Sequence, residues 1–326
     1  MCSLPTVETP FVPHPWLRNR HVQTIFPAYA WHGSPRPSSA RRIVQVSDGD
    51  QLVLHEDETP VGDRIAVLLH GLNGSAQSPY MLRIAAKLRE CGFHVVRVDL
   101  RGHGNGMALA RKPGHAGRSG DVAAVLQYLS DRYPKAKFDL VGISLGGNLV
   151  LKLLGEPTDE SRAARQLVRS AVVACPPIDL VASSKHMLQP QCRLYSRAFV
   201  KKLIYLLQQQ SDQGEEIPLP SPLPRTVWDF DNRFTAPLSG FRDAMDYYLQ
   251  SSASRVLEHV STPTLLLASQ DDPIVPAAMF QRDFPPSISL CLSKHGGHVG
   301  FYAARNGDPD RYWMDWRVVD WLSRNW

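Results

Sequence analysis

The chain has 326 residues and a mass of 36.4 kDa, with 43% hydrophobic and 21% charged residues. That is the size of one large α/β enzyme with ample material for a buried core, and it excludes a disordered or fibrous chain. Lys and Arg outnumber Asp and Glu 36 to 31, a net charge of +5, but the cations are scattered and form no basic stripe, which argues against nucleic acid as a partner.

The first 40 residues are rich in proline and aromatics (Phe11, Trp16, Phe26, Tyr29, Trp31) and predict an irregular arm, residues 1–40, lying on the core. No basic leader followed by an apolar run opens the chain, so no signal peptide is expected. RRIVQVSDGDQLVLHE, two alternating stretches around Asp48-Gly49, predicts a β-hairpin. Apolar strand-like runs then alternate with helical patterns. A strand over 64–71 precedes a helix near 79–90, and a strand over 94–102 precedes a helix near 119–132. Strand 137–147 runs into a helix ending near 155, and strand 170–177 follows. Strands 264–273 and 287–298 are expected with a helix between them, and a Trp-rich helix over 309–324 ends the chain. Near-continuous apolar strands separated by helices predict a mostly parallel sheet covered on both faces. The stretch 181–260 breaks the rhythm with helical patterns over 185–209 and 238–250 around a proline-rich segment, 217–225. It is too long for a plain connection and is expected to be an inserted cap between core segments 41–180 and 261–326. No apolar run approaches the roughly 18 residues of a membrane-crossing helix.

Gly142-Ile143-Ser144-Leu145-Gly146 matches G-x-S-x-G. The bare pattern is weak, but an apolar strand precedes it and an amphipathic helix follows it. A serine on such a sharp strand-to-helix turn stands exposed above the sheet. A hydroxyl is a poor nucleophile at neutral pH and needs a base oriented by an acid, in this arrangement in the order Ser, Asp/Glu, His. Both occur at strand ends: Asp271 and Asp272 after TLLLASQ, His295 and His298 after LCLSK. The strand ends of one parallel sheet open onto one edge, so these residues can meet there. HGLNG, residues 70–74, follows the first central strand, and the N–H groups of Leu72 and Leu145 are the expected oxyanion donors.

With RNRHVQTIFP (18–27), HGLNGSAQSPY (70–80), RGHGNG (101–106) and FDNRFTAPLSGFRDAMDYY (230–248), the chain resembles the α/β-hydrolase superfamily and in particular its YheT-like branch, AB-hydrolase family 4. The likeness runs from about residue 10 to 325. It implies an α/β-hydrolase fold with an eight-stranded sheet, a Ser–Asp–His triad, and carboxylesterase or lipase-like activity on small-molecule or lipid acyl esters.

Within that frame Asp272 is expected to be the acid, because Asp272-Pro273-Ile274-Val275-Pro276 has the D-x-x-V-P spacing and Asp271 falls one residue short. His298 is the expected base, since Gly296-Gly297 frees its loop. Tyr195, Phe199, Phe234 and Tyr247 of the cap are the expected substrate-binding residues, with Met187, Tyr205 and Tyr248 beside them. Asp99, Arg101 and Gly102 are read as structural, His70 as turn-stabilising, His103 and His115 as loop or pocket residues, and His21 and Gln23 as docking the arm. No metal cluster is visible: the histidines lack H-x-x-x-H spacing, and no cofactor is needed. The five cysteines (Cys2, Cys91, Cys175, Cys192, Cys291) are odd in number and without a CxxC pair, so neither disulfides nor zinc are expected and a cytoplasmic location fits. An acyltransferase, or a non-catalytic interaction protein on the same fold, would share this framework. Acyl length, alcohol and oligomeric state are not readable from these residues.

Overall fold

A computed structural model describes residues 10–29, 38–57, 63–211, 222–305 and 307–324. Trp31, Cys2 and most of the proline-rich segment 217–225 lie outside them. Eight strands form one sheet in the order β1-β2-β4-β3-β5-β6-β7-β8. The expected hairpin is β1 (Ser39–Gln45) and β2 (Gln51–Asp57), closed by Gly49 at φ 80°. Strand β2 runs antiparallel to β4 (His94–Asp99), and every later pairing is parallel, through β3 (Arg64–Leu69), β5 (Lys137–Ile143), β6 (Val168–Ala174), β7 (Thr264–Ser269) and β8 (Ile288–Ser293).

The central strands are buried on both faces, which is why their sequences are nearly all apolar. Along β3, Ile65, Val67 and Leu69 point into one core cluster, and Ala66 and Leu68 into the other. The first cluster is completed by α3 (Ser119–Arg132), α4 (Leu145–Gly155) and α5 (Asp159–Leu167); the second by α2 (Pro79–Glu90) and α11 (Trp313–Leu322).

Several elements depart from expectation. The N-terminal segment is not wholly irregular: Arg20–Tyr29 form helix α1, with Pro27 inside it. The single helix expected over 185–209 is two, α6 (Leu180–Met187) and α7 (Arg193–Ser211), interrupted where Pro190 cannot continue the first. The helix expected from 238 starts only at α10 (Ala244–Ser251), because Gly240 at φ 81° breaks the chain and Asp243 caps the new start. Before it lie α8 (Val227–Phe230), a π-helical turn (Asp231–Thr235) and α9 (Ala236–Leu238). Between β7 and β8 there is only a 3₁₀ turn, Ala277–Phe280, in a segment bounded by Pro276 and Pro285. Helix α5 was not expected, its sequence DESRAARQL being largely polar.

Arg101 ties the hairpin to the helical layer. Its guanidinium, 2% exposed, donates to Asp48 (2.8 Å), Asp50 (2.9 Å) and both oxygens of Asp121 (2.6 and 3.0 Å). Burial pushes the Asp48 carboxyl up, but its bonds to Arg101 and the nearby Arg118 outweigh that and hold it well below the ordinary carboxylate range. Removing one member of a buried ion cluster leaves its partners uncompensated. Arg101→Met is therefore expected to lower stability by about 3–5 kcal/mol at pH 7 in urea unfolding. A lowered carboxylate pKa stabilises above the unfolded value, near 4, and that stabilisation is lost as pH falls. The gap between wild type and variant should accordingly narrow below about pH 4. A variant as stable as wild type at neutral pH would refute the bracing role.

Candidate active site

The ends of β3, β5, β7 and β8 meet at one cavity of about 850 Å³, lined by Ser144, His298, Leu72 and Leu145. Ser144 sits between β5 and α4 at φ 52° and ψ −116°, a backbone region that costs a non-glycine residue about 1–3 kcal/mol. Its neighbours make this possible. A Cβ on Gly142 would stand 2.5 Å from the Gly146 carbonyl oxygen, and one on Gly146 would stand 2.5 Å from the Leu69 oxygen. The turn is pinned by the Ser144 N–H donating to Ala174 (2.7 Å) and the Gly147 N–H donating to Ser144 (2.8 Å).

Above the serine, His298 Nε2 lies 2.9 Å from Ser144 Oγ and its Nδ1 lies 2.8 Å from Asp272 Oδ2. With Nδ1–H donating to the carboxylate, Nε2 is free to accept from the hydroxyl. The buried Asp272 is fixed through its other oxygen, which accepts the N–H groups of Ile274 (2.8 Å) and Val275 (2.9 Å). Its neighbour Asp271 turns elsewhere: it accepts the Gly297 N–H at 2.9 Å and meets His295 Nδ1 at 3.3 Å. His295 is half exposed, and its ring meets Asp271 rather than Ser144 or Asp272. The Asp271 carboxylate thus holds the loop that carries His298, while Asp272 holds the imidazole.

That loop is also tied from outside the sheet. The His298 N–H donates to Thr24 Oγ1 (2.9 Å) in α1. Gln23, fully buried, exchanges hydrogen bonds with Tyr302 (2.8 and 3.0 Å) and donates to Leu17 (2.7 Å). His21 Nδ1 meets Tyr195 Oη of α7 at 3.0 Å across the cavity mouth. The sequence motif marked this segment, but the Thr24 contact had no signal of its own.

Leu145 is the first residue of α4, so its N–H is an orphan donor at a helix N-terminus. Leu72 follows Gly71, whose N–H donates to Tyr80 Oη (3.0 Å) and where a Cβ would stand 3.0 Å from Ser144 Cβ. His70 lies beneath this loop: it accepts the Leu100 N–H at Nε2 (3.0 Å), so Nδ1–H donates to Gly71 O (2.7 Å). Burial, reinforced by His103, pushes His70 down to about 3, which keeps it neutral. Burial likewise lowers His103 and takes His115 to about 3. Asp99 is engaged by the N–H groups of Ala76 (2.7 Å) and Asn105 (2.9 Å) and by His55 (2.9 Å).

Cys175 Sγ, Asp272 and His298 have potential metal-ligating atoms within 4.8 Å of one another. The histidine and carboxylate atoms are already engaged by Ser144, by each other and by backbone N–H groups, so this donor set is not open. Burial and the nearby Asp272 carboxylate push the Cys175 thiol far up, which keeps it protonated and a poor nucleophile.

Tyr195, Phe199 and Tyr247 line the cavity, as do Met187 and Tyr248. Phe234 is a correction: it is absent from the cavity lining and packs against Phe230 (5.2 Å between ring centres) in a small core with Val200 and Leu207. Tyr205 stands exposed on α7, near Lys202.

The sequence profile of the alpha/beta hydrolase fold family matches residues 67–304. The YheT protein of Escherichia coli (strain K12) is 29% identical, over 96% of this chain and 93% of that one. The medium-chain fatty acid ethyl ester synthase/esterase 2 of Saccharomyces cerevisiae is 28% identical, over 90% of this chain and 69% of that one. Among solved structures, the Pyrococcus furiosus esterase Pf2001 superposes with a TM-score of 0.60 at 18% identity, over 90% of this chain and 96% of that one.

The close approaches around the serine set a structural test. In Gly142→Ala the new methyl meets backbone on α4 that cannot rotate away. A loss of about 2 kcal/mol or more is expected in denaturant unfolding. An unchanged midpoint would show that the turn relaxes.

Proposed function

Because the chain belongs to the alpha/beta hydrolase fold family and, within it, to the YheT-like branch, we propose that it is a serine hydrolase of carboxylic acyl esters working through an acyl-enzyme intermediate. The observation that carries this reading is the unbroken relay from Asp272 through His298 to Ser144 at the floor of the cavity. His298 takes the serine proton as Oγ attacks the acyl carbonyl carbon, and Asp272 orients and stabilises the imidazolium. The N–H groups of Leu72 and Leu145 hold the oxyanion. His298 then protonates the departing alcohol, and water reverses the sequence to release the acid. In this reading residues 181–260 are the cap that walls the acyl site, residues 1–40 an arm that holds the base loop, and the substrate a small-molecule or lipid ester. A cytoplasmic setting suits Cys91, Cys175, Cys192 and Cys291, none of which forms a disulfide among the described residues.

Transfer of the acyl group to an alcohol is the second reading, because one relative is named as both synthase and esterase. It uses the same residues and differs in which hydroxyl compound enters. Product analysis with an added alcohol separates the two.

Ser144→Ala is expected to abolish ester turnover and labelling by a fluorophosphonate probe while leaving the fold intact. His298→Gln and Asp272→Asn should each lower kcat by about 10⁴-fold. Asp271→Asn and His295→Gln should each stay within about tenfold, since neither side chain bonds to a relay side chain and an asparagine amide oxygen can still accept the Gly297 N–H. A collapse in Asp271→Asn with near-normal Asp272→Asn would reverse the assignment of the acid.

A further inference from the structure

The segment FDNRFTAPLSGFRDAMDYY, residues 230–248, contributes nothing to the relay, yet it sets a buried carboxyl in the cavity wall. Asp231 opens the π-helical turn between α8 and α9 and lines the same cavity as Ser144. Turns of this kind widen the helix locally and recur at functional sites. The Asp231 Oδ1 accepts from Thr235 Oγ1 (2.7 Å), and Oδ2 accepts from Tyr248 Oη (2.6 Å). A carboxylate offers about four acceptor positions, so each oxygen keeps one in hand. Burial raises this carboxyl to about 6, partly offset by the two hydroxyls. At neutral pH it is therefore mostly ionised, and among the described residues no cation pairs with it.

The groups packed around Asp231 do not compensate it. On its own turn, Arg233 is directed to Asp229 and to the Pro222 carbonyl. Tyr247 of α10 is committed to the Ala116 N–H (3.0 Å). His115, beside Tyr247, is kept neutral by burial. On α6, Ser183 lines the cavity at 8% exposure, and its Oγ is buried without a hydrogen-bond partner. An ionised carboxylate and an unsatisfied hydroxyl in a mostly apolar wall are costly unless something polar meets them. The lining also includes the apolar side chains Ile25, Leu194, Phe199 and Leu203.

We propose that Asp231, with Ser183, forms a polar subsite in the cavity that binds a hydrogen-bond-donating group, a hydroxyl or an ammonium, carried by an otherwise apolar ester. The inference rests on the ester-hydrolase reading and narrows it to amphiphilic substrates. Asp231 is a binding residue here; Thr235 and Tyr248 hold it in position.

Four esters test it: propyl octanoate, which has no donor; dihydroxypropyl octanoate, with donors on the alcohol; and the propyl esters of ω-hydroxy- and ω-amino-octanoic acid, with donors on the acyl end. For at least one donor-bearing ester, wild type should show a kcat/KM above that of propyl octanoate. In Asp231→Asn that ratio should fall about tenfold or more, mainly through KM, as expected when a hydrogen bond to a charged group is lost. Ser183→Ala and Thr235→Val should shift the same ratio in the same direction by about threefold. The responding ester identifies the donor and the side of the substrate that carries it. Ratios unchanged for every donor ester in all three variants, with melting curves showing folded protein, would overturn the proposal. If Asp231→Asn does not fold, the other two variants decide. Calorimetric binding of the same esters to Ser144→Ala protein separates the two readings. Tighter binding of a donor ester there, without turnover by wild type, would reject ester hydrolysis and keep the subsite, whereas equal binding of all four would reject the subsite.

Discussion

Between β5 and α4 the backbone reverses direction at a single residue, and it does so in contact with two other strands. Ser144 takes a positive φ that only a crowded, over-determined site can enforce. The crowding comes from glycines: Gly142 and Gly146 let strand and helix touch, and Gly71 lets the loop after β3 pass beside the serine. The same approach brings the start of α4 and the Gly71-Leu72 loop to the hydroxyl. In the proposed mechanism nucleophile and oxyanion donors are thus one packing solution rather than separate inventions, and a methyl group in any of these gaps would disturb the turn.

His298, the proposed base, reaches the serine by a different route. His298 stands on a loop with two glycines at positive φ, Gly296 and Gly297, which gives the chain freedom that must be removed elsewhere. Asp271, Ser269 and Thr24 remove it by hydrogen bonds to the loop backbone, from β7 and from α1. The two adjacent aspartates therefore divide the work. One fixes the backbone and the other the side chain, because successive residues leaving a strand face opposite ways.

Much of this was legible in the sequence. Strands buried on both faces are written as unbroken apolar runs, and the strand-end positions of Ser144, of the Asp271-Asp272 pair and of His295 and His298 follow from those runs. What was not legible has physical reasons. Helix α1 contains a proline, and it buries Gln23 and Pro27 while Val22, Ile25 and Phe26 stay exposed, so it does not read as a core helix. Helix α5 is short and largely polar, with Ser161 and Ala164 as its buried residues. The placement of Phe234 is not encoded locally, because an aromatic in a helical pattern does not announce which of two neighbouring cores it joins. Asp231 passed unnoticed for a related reason: an acidic residue between aromatics reads as a solvated helix face unless the π-helical turn that buries it is known.

The tie between α1 and the base loop bears on how far this catalytic framework can be treated as a module. The family profile spans residues 67–304, and a fragment cut to those limits would retain Ser144, Asp272 and His298. It would lack Thr24, which holds the His298 amide, and Asp48 and Asp50, which neutralise Arg101. It would also lose α11, whose tryptophans fill one face of the sheet. A chimera that borrowed only the recognisable domain would carry the right side chains on a loop free to drift, so any graft of this chemistry must bring both flanks with it.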